Sequence, residues 1–398
     1  MSSGLAFTLD DVEYLTSPRG VAALAEVAAL DLAGDRIADI AAVRARHGAR
    51  TAVLVETTLL RRRASQKLPD AEHWLFTDEA LQQATAAPVA AQRARRLAGR
   101  TVADVTCSVG AELAALCGTA TAVIGSDIDP IRLAMARHNL AGAPVLLCRA
   151  DALAPITAEA AVIADPARRS GGRRRFDPRD YAPALDDLLA AYAGRDLVVK
   201  CAPGIDFDAL ADMGFRGEIE ITSWRGSVRE ACLWSAGLAE PGIARRASVL
   251  DTGEQVTDAE SDDCAVGPVG RWIVDPDGAV VRAGLVRHYG ARHGLWQLDP
   301  DIAYLTGDAV PPGIRGFEVI EQIPFTEKAL RQALSALDCG ALEILVRGVR
   351  VDPDQLRRRM RPRGDTPLSV VITRVGAGQA ARAVAFICRS PRPEAARD

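Results

Sequence analysis

The sequence predicts an α/β protein: a helical domain, then a Rossmann-like sheet of seven strands with an antiparallel terminal hairpin, then a small α+β module. From Thr101 onward, short apolar runs alternate with helical segments, which is typical of a parallel sheet covered by helices on both faces. Residues 1–98 carry helix signals only. The strand candidates Glu218–Ser223 and Glu230–Ser235 are too close in sequence for a helical crossover, so we expect them to run antiparallel.

The helical domain begins with a clear start signal. Ser17 followed by Pro18 predicts a capped helix that continues to Leu32, because serine caps a helix and proline suits its first position. Asp35 is expected to cap the next helix, and Gly48 to end it. Further helices are predicted over Ala49–Lys67, after Thr77 and over Val89–Leu97.

The central part supplies the parallel strands. They are predicted at Thr101–Thr106, Ala122–Ser126, Val145–Cys148, Ala161–Ala164 and Leu197–Cys201. The clearest helices between them are expected over Pro130–Leu140 and Asp180–Tyr192. Ligands bind open parallel sheets at the carboxyl ends of the strands, so the candidate functional residues should follow these strands directly.

The remainder is less regular and is expected to be an α+β module. Its predicted elements are a loop over Asp251–Asp263, a strand, turn and helix within Gly270–Val286, helices over Thr326–Leu337 and Asp352–Met360, and strands at Leu342–Val346, Ser369–Arg374 and Ala383–Cys388. We therefore expect four domains, with bounds 1–98, 99–238, 239–325 and 326–398.

Composition excludes several classes of protein. The chain has 398 residues, of which 48% are hydrophobic and 25% charged, as in ordinary globular proteins. Met1–Asp10 has no signal-peptide pattern, and no apolar stretch reaches the roughly 20 residues of a membrane span. The eight cysteines form no C-x-x-C pair, and the five histidines lack metal-ligand spacing. We expect a cytoplasmic protein without a metal site or disulfides.

Acidic residues follow three successive strands. Asp104 begins the small-residue turn that runs through Thr106 and Ser108 to Gly110, and such a turn lets the backbone approach a ligand closely. Asp127 ends the second strand, and Ile128 follows it in sequence. Asp151 and Ala152 follow the third.

Three carboxylates at these positions fit S-adenosylmethionine. Asp104 would hold the ammonium group or the loop, Asp127 would accept both ribose hydroxyls, and Asp151 would accept from the adenine amino group. NAD would share Asp127, but its usual G-x-G-x-x-G is absent because Ser108 stands at the first glycine and no third glycine follows. The methyl donor is the favoured cofactor.

These residues resemble the motifs of class I methyltransferases, which are built as a parallel sheet ending in a hairpin. The resembling segments are Asp104–Glu112, Ser126–Asn139, Arg149–Leu153 and Asp165–Arg169. The chain more closely resembles a bacterial family of methyltransferases with a THUMP-like domain at the C-terminus, through Arg61–Arg96, Arg271–Phe325 and Cys339–Arg374. The resemblance implies a methyltransferase that acts on RNA. Ser108 departs from the usual glycine.

The loop Asp165-Pro166-Ala167-Arg168 follows the fourth strand, where the donor methyl would point. Asp165 would orient or deprotonate the acceptor, and Arg168 would pair with a phosphate or stack on a base. Amino-group methyltransferases often have two prolines and an aromatic here, so the acceptor atom stays open. A covalent role for Cys201, activated by Lys200, is an alternative, as is a structural role for that cysteine.

Arginines are bunched although the net charge is −4. The clusters are Arg61–Arg63, Arg93 with Arg95 and Arg96, Arg168–Arg175 and Arg357–Arg363. Such clusters can grip RNA phosphates, and we expect the helical domain and the C-terminal module to do so. Two alternatives stay open: a small-molecule methyltransferase, and a cofactor-binding RNA-interaction protein without catalytic activity.

Overall fold

The structure is a computed structural model that describes residues 4–32, 34, 36–68, 71–168, 180–376 and 381–389, without the side chain of Arg168. The chain divides into two units. The first comprises Met1–Ile219 and Arg229–Glu240, and the second comprises Glu220–Val228 and Pro241–Asp398. The predicted α/β class is confirmed, with a helical N-terminal region.

The first unit opens with helices. They are α1 (Leu9–Thr16), α2 (Pro18–Ala28), α3 (Arg36–His47), α4 (Thr51–Ala64), α5 (Asp78–Gln83) and α6 (Ala87–Arg96). The predicted caps are confirmed, since Ser17 accepts from the Gly20 N–H and Thr77 from the Ala80 N–H. α3 ends before Gly48, whose φ is 53°. The predicted cap Asp35 lies outside the described residues.

The sheet of the first unit follows. Its strands are β1 (Thr101–Asp104), β2 (Ala122–Asp127), β3 (Val145–Arg149), β4 (Ala161–Ala164), β7 (Leu197–Cys201), β8 (Gly217–Trp224), which ends in the second unit, and β9 (Ser227–Ser235). Two short strands, β5 (Ala167–Arg168) and β6 (Tyr181–Ala182), pair with each other in a separate two-stranded sheet. The helices are α7 (Ala111–Leu116), α8 (Pro130–Asn139), α9 (Leu185–Ala191) and α10 (Phe207–Asp212).

The strand order is β9–β7–β4–β1–β2–β3. β1, β2, β3, β4 and β7 pair in parallel, whereas β9 runs antiparallel to β7. β8 begins beside β9, since a Cβ on Gly217 would lie 2.1 Å from the Trp234 carbonyl oxygen. Apolar residues fill both faces, since Val102 and Ile163 on one face and Val162 on the other are all 0% exposed. The carboxyl ends of the five parallel strands therefore meet at one edge.

Two predictions about regular structure were wrong. The segment predicted as helix over Asp180–Tyr192 begins as the strand β6 and becomes helical only at Leu185. Pro183 explains the late start, because a residue before proline avoids the helical region. The predicted loop Asp251–Asp263 contains the strand Glu254–Thr257.

The second unit is built mainly on antiparallel strands. Its elements are β10 (Arg245–Val249), β11 (Glu254–Thr257), β12 (Trp272–Val274), α11 (Gly278–Ala283), α12 (Val286–His293), β13 (Trp296–Asp299), β14 (Ile302–Gly307), β15 (Gly316–Pro324), α13 (Glu327–Ala336), β16 (Cys339–Arg347), α14 (Pro353–Met360), β17 (Thr366–Val375) and β18 (Arg382–Arg389). Seven of these strands form one sheet, in the order β13–β14–β12–β15–β18–β17–β16. Strands of the segments 239–325 and 326–398 thus share one sheet.

In the described part of the chain, we find no helix with the length and apolar character that crossing a membrane requires.

Candidate active site

A cavity of about 400 Å³ lies at the carboxyl edge of the first unit's sheet. This volume is within the range of about 300–1,000 Å³ usual for ligand pockets. Eight of the ten predicted site residues line it: Asp104, Thr106, Ser108, Asp127, Ile128, Asp151, Ala152 and Asp165. Sheet topology alone brings together side chains that are up to 61 positions apart in sequence, from Asp104 to Asp165.

The turn after β1 forms one wall of the cavity. The Asp104 carboxylate is buried and accepts from the Thr106 N–H at 3.0 Å. The Thr106 hydroxyl oxygen in turn accepts from the Asp165 N–H at 2.6 Å, which joins the loops after β1 and β4. Ser108 has a φ of 50°, a left-handed conformation that costs a non-glycine residue roughly 1–2 kcal/mol.

Asp127 is fixed by two backbone groups. Its Oδ2 accepts from the Ser108 N–H at 2.9 Å, and its Oδ1 accepts from the Asp129 N–H at 2.9 Å. The side chain of Asp129 caps α8 by accepting from the Ile131 N–H. Asp127 is therefore held rigidly, with each oxygen retaining a lone pair for a ligand.

The end of the cavity near β3 is partly apolar. Ile128 is 62% exposed and lines the cavity, so it offers an apolar surface there. Asp151 accepts from the Leu153 N–H at 2.9 Å, and the Tyr192 hydroxyl donates to the Ala152 carbonyl at 2.7 Å. An exposed apolar surface beside a carboxylate suits a flat aromatic ring that carries hydrogen-bond donors.

Asp165 lies beside a buried cation at the opposite end. Its carboxylate contacts the ammonium of Lys200, whose side chain is only 8% exposed. Burial lowers the pKa of Lys200, but the nearby carboxylates of Asp165 and Glu112 outweigh that effect and raise the pKa above its usual value. Lys200 is therefore protonated and forms a persistent ion pair with Asp165.

A second buried ion pair stands behind Lys200. Both oxygens of Glu112 accept from Arg93 at 2.8 Å, and Arg93 also contacts the Glu230 carboxylate. Arg93 and Glu112 are 2% and 6% exposed. Burial raises the pKa of Glu112, but the charge of Arg93 outweighs it and holds the pKa below its usual value.

Asp104 has no cation at hydrogen-bond distance among its described neighbours. Burial is the main reason that its pKa rises to about 7, partly offset by the hydrogen bond from the Thr106 N–H. A ligand that brings a positive charge to this carboxylate would favour its ionised form. The ammonium group of an amino acid is a ligand of that kind.

Known proteins identify the family of the chain. Two uncharacterised S-adenosylmethionine-dependent methyltransferases of Mycobacterium tuberculosis, from strains CDC 1551 / Oshkosh and H37Rv, are each 67% identical over 358 residues. The alignments cover 88% of this chain and 100% of each relative. The chain belongs to the S-adenosylmethionine-dependent methyltransferases.

Other likenesses concern the C-terminal segment, the N-terminal segment and the fold. Residues 314–390 of the methyltransferase match the family described as THUMP domain-like, and residues 8–64 match a domain of unknown function. A crystal structure from Porphyromonas gingivalis W83, of a protein provisionally named a methyltransferase, is 21% identical. It covers 97% of this chain and 99% of its own with a TM-score of 0.75, which shows the same fold.

The methyltransferase's cavity fits S-adenosylmethionine in chemistry. The Ser108 hydroxyl lines the cavity and is buried without a hydrogen-bond partner in the described residues, so it has a donor and an acceptor to offer. The carboxylates of Asp104, Asp127 and Asp151 are spread along the same cavity. Carboxylates accept hydrogen bonds, and the ammonium, ribose hydroxyl and adenine amino groups of the cofactor donate them.

Three predicted residues have other outcomes. The side chain of Arg168 lies outside the described part of the structure. Gly110 precedes α7 with a φ of 92°, which glycine adopts without strain, and its neighbours Val109 and Ala111 line the cavity instead. Cys201 is buried, and neighbouring strand residues face opposite sides of a sheet. Since Lys200 faces the cavity, Cys201 points away from it.

Clustered arginines of the helical domain make contacts within the protein. Arg61 donates to the carbonyls of His73 and Trp74, and Arg62 donates to the carbonyl of Ala28, the last residue of α2. Arg93 is buried. Arg96 forms a bidentate salt bridge with the buried Glu218, in which Nη1 and Nη2 donate to the two carboxylate oxygens at 2.7 and 2.8 Å. The buried Arg93 is therefore not available to a phosphate, contrary to the prediction for its cluster, whereas Arg62 is exposed.

Sequence reasoning missed Glu112 and Arg93, and it considered Lys200 only as a neighbour of Cys201. One signal was present. Lys200 is the single charged residue in the apolar strand Leu197–Cys201, and it stands at the carboxyl end, where ligands bind.

Proposed function

We propose that the protein transfers a methyl group to a base in RNA, either tRNA or rRNA, in the cytoplasm. The transfer is a direct displacement in which Asp165 positions the acceptor. The observation that carries this proposal is the Asp165–Lys200 pair in the cavity that also holds Asp104, Asp127 and Asp151. Bound S-adenosylmethionine supplies a methyl group already activated on a sulfonium, so positioning can provide much of the rate.

In this proposal each predicted residue has a task. Asp104 accepts from the ammonium group, Asp127 accepts from the ribose hydroxyls, and Asp151 accepts from the adenine amino group. Ile128 and Ala152 contact the adenine ring. The turn Thr106–Gly110 provides close backbone approach, with Ser108 adding a hydroxyl. Arg168 is proposed to contact the substrate.

Direct displacement is favoured over a covalent route through Cys201. A catalytic cysteine must reach the reacting carbon as a thiolate. Cys201 faces away from the cavity, and Lys200, its proposed activator, is engaged with Asp165. The cysteine is therefore assigned a structural role.

RNA binding is supported by a groove in the second unit, here called the arginine groove. It encloses about 810 Å³ and lies between α13, α14 and the loop after α14. Its cationic lining residues are Arg331, Arg358, Arg359, Arg361 and Arg363. Arg358, Arg361 and Arg363 are exposed, so their guanidinium groups can meet phosphates. The groove lies within the THUMP-like residues, and we propose that segment 326–398 contacts RNA while segment 99–238 carries the chemistry.

A salt titration tests the RNA part of the proposal. Bulk RNA is titrated against the protein at several salt concentrations, with the variant Arg358→Gln/Arg361→Gln beside the wild type. The slope of log affinity against log salt should fall by about 0.7 per lost contact for single-stranded RNA. The exposed pair Arg19→Gln/Arg137→Gln, outside the groove, is the matched control and should leave the slope unchanged. No binding at low salt would refute RNA as the substrate.

Transfer of tritiated methyl groups separates the remaining alternatives. The protein and labelled S-adenosylmethionine are incubated with RNA, protein and small-molecule fractions from a strain that lacks the protein. Label in RNA supports the proposal, whereas label in the small-molecule fraction identifies a small-molecule methyltransferase. Label in no fraction, together with RNA binding, would identify a protein that binds RNA without catalysis.

A further inference from the structure

Lys200 occupies an unusual place for a charged side chain. It stands in β7 among Leu197, Val198 and Val199, all of which are buried. Its side chain is 8% exposed, and Lys200 lines the cavity of the candidate active site. Removing an ammonium group from water is costly, so such a lysine persists only where buried partners stabilise its charge.

Two carboxylates stabilise Lys200 from different elements. Its ammonium contacts Asp165 Oδ2, after β4, and lies 4.0 Å from Glu112 Oε2, on α7. Asp165 is 38% exposed and faces the cavity, whereas Glu112 is 6% exposed and lies deeper. Lys200 therefore links a rigid interior carboxylate to one at the reacting end.

Glu112 is held in this position by several hydrogen-bond donors. Arg93 holds both of its carboxylate oxygens at 2.8 Å, and the hydroxyl of Thr85 also hydrogen-bonds to it. Arg93 is itself fixed by Glu230. The charges thus alternate from Glu230 through Arg93, Glu112 and Lys200 to Asp165. Lys200 is held from the buried Glu112 side of this row and contacts Asp165 on the other.

Asp165 is restrained from its backbone as well. Its N–H donates to the Thr106 hydroxyl oxygen at 2.6 Å, so the loop after β4 is tied to the turn after β1. The backbone hydrogen bond fixes where the residue stands. The Lys200 ammonium, in contact with Oδ2, fixes which way its carboxylate points.

We propose that Lys200 is a positioning residue for methyl transfer: anchored by Glu112, its ammonium aims an ionised Asp165 carboxylate at an acceptor N–H of the RNA base. This inference rests on the proposed function and adds the class of acceptor. Nitrogens that carry no hydrogen before transfer have nothing to give a carboxylate, so they are excluded.

The chemistry balances without a further reagent. The acceptor nitrogen forms a bond to the methyl carbon while the carbon–sulfur bond breaks and its electron pair goes to sulfur. The nitrogen, now positively charged, loses its hydrogen as a proton to Asp165. Asp165 releases that proton to water through its exposed side, and Lys200 stays protonated throughout.

A double-mutant cycle tests whether Lys200 acts through Asp165. Lys200→Met should lower kcat for RNA methylation about 100-fold, the scale of misplacing a catalytic group, with little change in KM. Asp165→Asn should lower it by about 100-fold or more. In the Asp165→Asn background, Lys200→Met should cost less than about 2-fold further, because its partner is already gone. Arg19→Met, an exposed cation on α2, is the control.

The double variant Lys200→Met/Asp165→Asn is also a control for misfolding. It removes the charges of Lys200 and Asp165 together, so neither of the two is left without the other. Titration calorimetry with S-adenosylmethionine and thermal melts report whether each variant is folded and binds the cofactor. Independent, multiplying losses for the two substitutions would overturn the proposal, as would unchanged kcat in a folded Lys200→Met protein.

The fraction that receives the label distinguishes the proposal that RNA is the substrate from the proposal that Lys200 positions Asp165. Wild-type label in RNA with unaffected Lys200→Met refutes the role of Lys200 and leaves the RNA function intact. Wild-type label in another fraction, lost in Lys200→Met, refutes RNA as substrate and leaves the role of Lys200 intact. A methylated nucleoside whose acceptor atom carried no hydrogen would refute the acceptor class. Label in no fraction would refute both proposals.

Discussion

Replacing Arg93 by methionine should strongly destabilise the first unit. Arg93 is 2% exposed and is shared by the buried carboxylates of Glu112 and Glu230. Its removal would leave two negative charges facing each other without their common cation. Breaking a single buried ion pair costs about 3–5 kcal/mol, and sharing by two carboxylates places this case toward the upper end.

The thermal midpoint of the first unit should then fall by about 10–20 °C, since 1 kcal/mol shifts a domain of this size by about 2–4 °C. Differential scanning calorimetry near pH 7.5 measures it. Arg95→Met is the matched control because Arg95 lies on the same helix, is exposed and donates to the side chain of Gln92. We expect that control to change the free energy of unfolding by less than about 0.5 kcal/mol.

A refuting result is simple to recognise. Melting of the Arg93→Met variant within about 2 °C of the wild type would be a change of less than about 1 kcal/mol in the free energy of unfolding. That result would show that the ion pairs of Arg93 do not hold Glu112. The triple variant Arg93→Met/Glu112→Gln/Glu230→Gln provides a second check. It should recover most of the lost stability, because neutral amides need no cation.

Three further predictions concern the cofactor side of the site. Ser108→Gly should stabilise the fold by up to about 1 kcal/mol in urea unfolding, because glycine relieves the left-handed φ of 50°, yet it should weaken S-adenosylmethionine binding because a hydroxyl is lost. Equal or tighter binding would contradict the role of that hydroxyl. Asp104 has a native pKa raised to about 7 by burial, so the native state holds its proton more tightly than the unfolded chain does. The free energy of unfolding should therefore decline as the pH rises from about 4 through 7, and Asp104→Asn should flatten that decline; an unchanged slope would show that another group is responsible. Asp127→Asn should weaken S-adenosylmethionine binding by about 1.5–3 kcal/mol in calorimetry, the value of a hydrogen bond to a charged group, and unaltered affinity would move the ribose site elsewhere.

The sequence could predict the cavity because one rule of topology governs it. Apolar runs identify the strands, and residues just beyond the carboxyl ends of parallel strands share one edge. Asp104, Asp127, Asp151 and Asp165 meet for that reason. Caps such as Ser17 were equally predictable, because they depend on neighbouring residues only.

Contacts between distant side chains were beyond the sequence. Lys200 meets Asp165 because β7 pairs beside β4 with Ala164 opposite Val199, a register that no local pattern encodes. Arg93 and Arg95 look alike in sequence, yet the turn of α6 buries the first and exposes the second. Clustered arginines therefore predict a basic surface only after the helix face is known.

The second unit was harder to predict for another reason. β12 has three residues and β13 has four, too few to show an alternating pattern clearly. β15, which pairs with β12, also pairs with β18 from the other predicted segment, 326–398, so burial is decided by the whole sheet. Local propensity is a weak guide in such a case.

We propose that this methyltransferase modifies a base in RNA. The most direct measurement compares modified nucleosides by mass spectrometry in tRNA and rRNA from cells with and without the protein. We predict that one methylated base nucleoside disappears with the protein and returns when the wild-type chain, but not Asp165→Asn, is restored. Identical nucleoside profiles in every RNA class would contradict the claim.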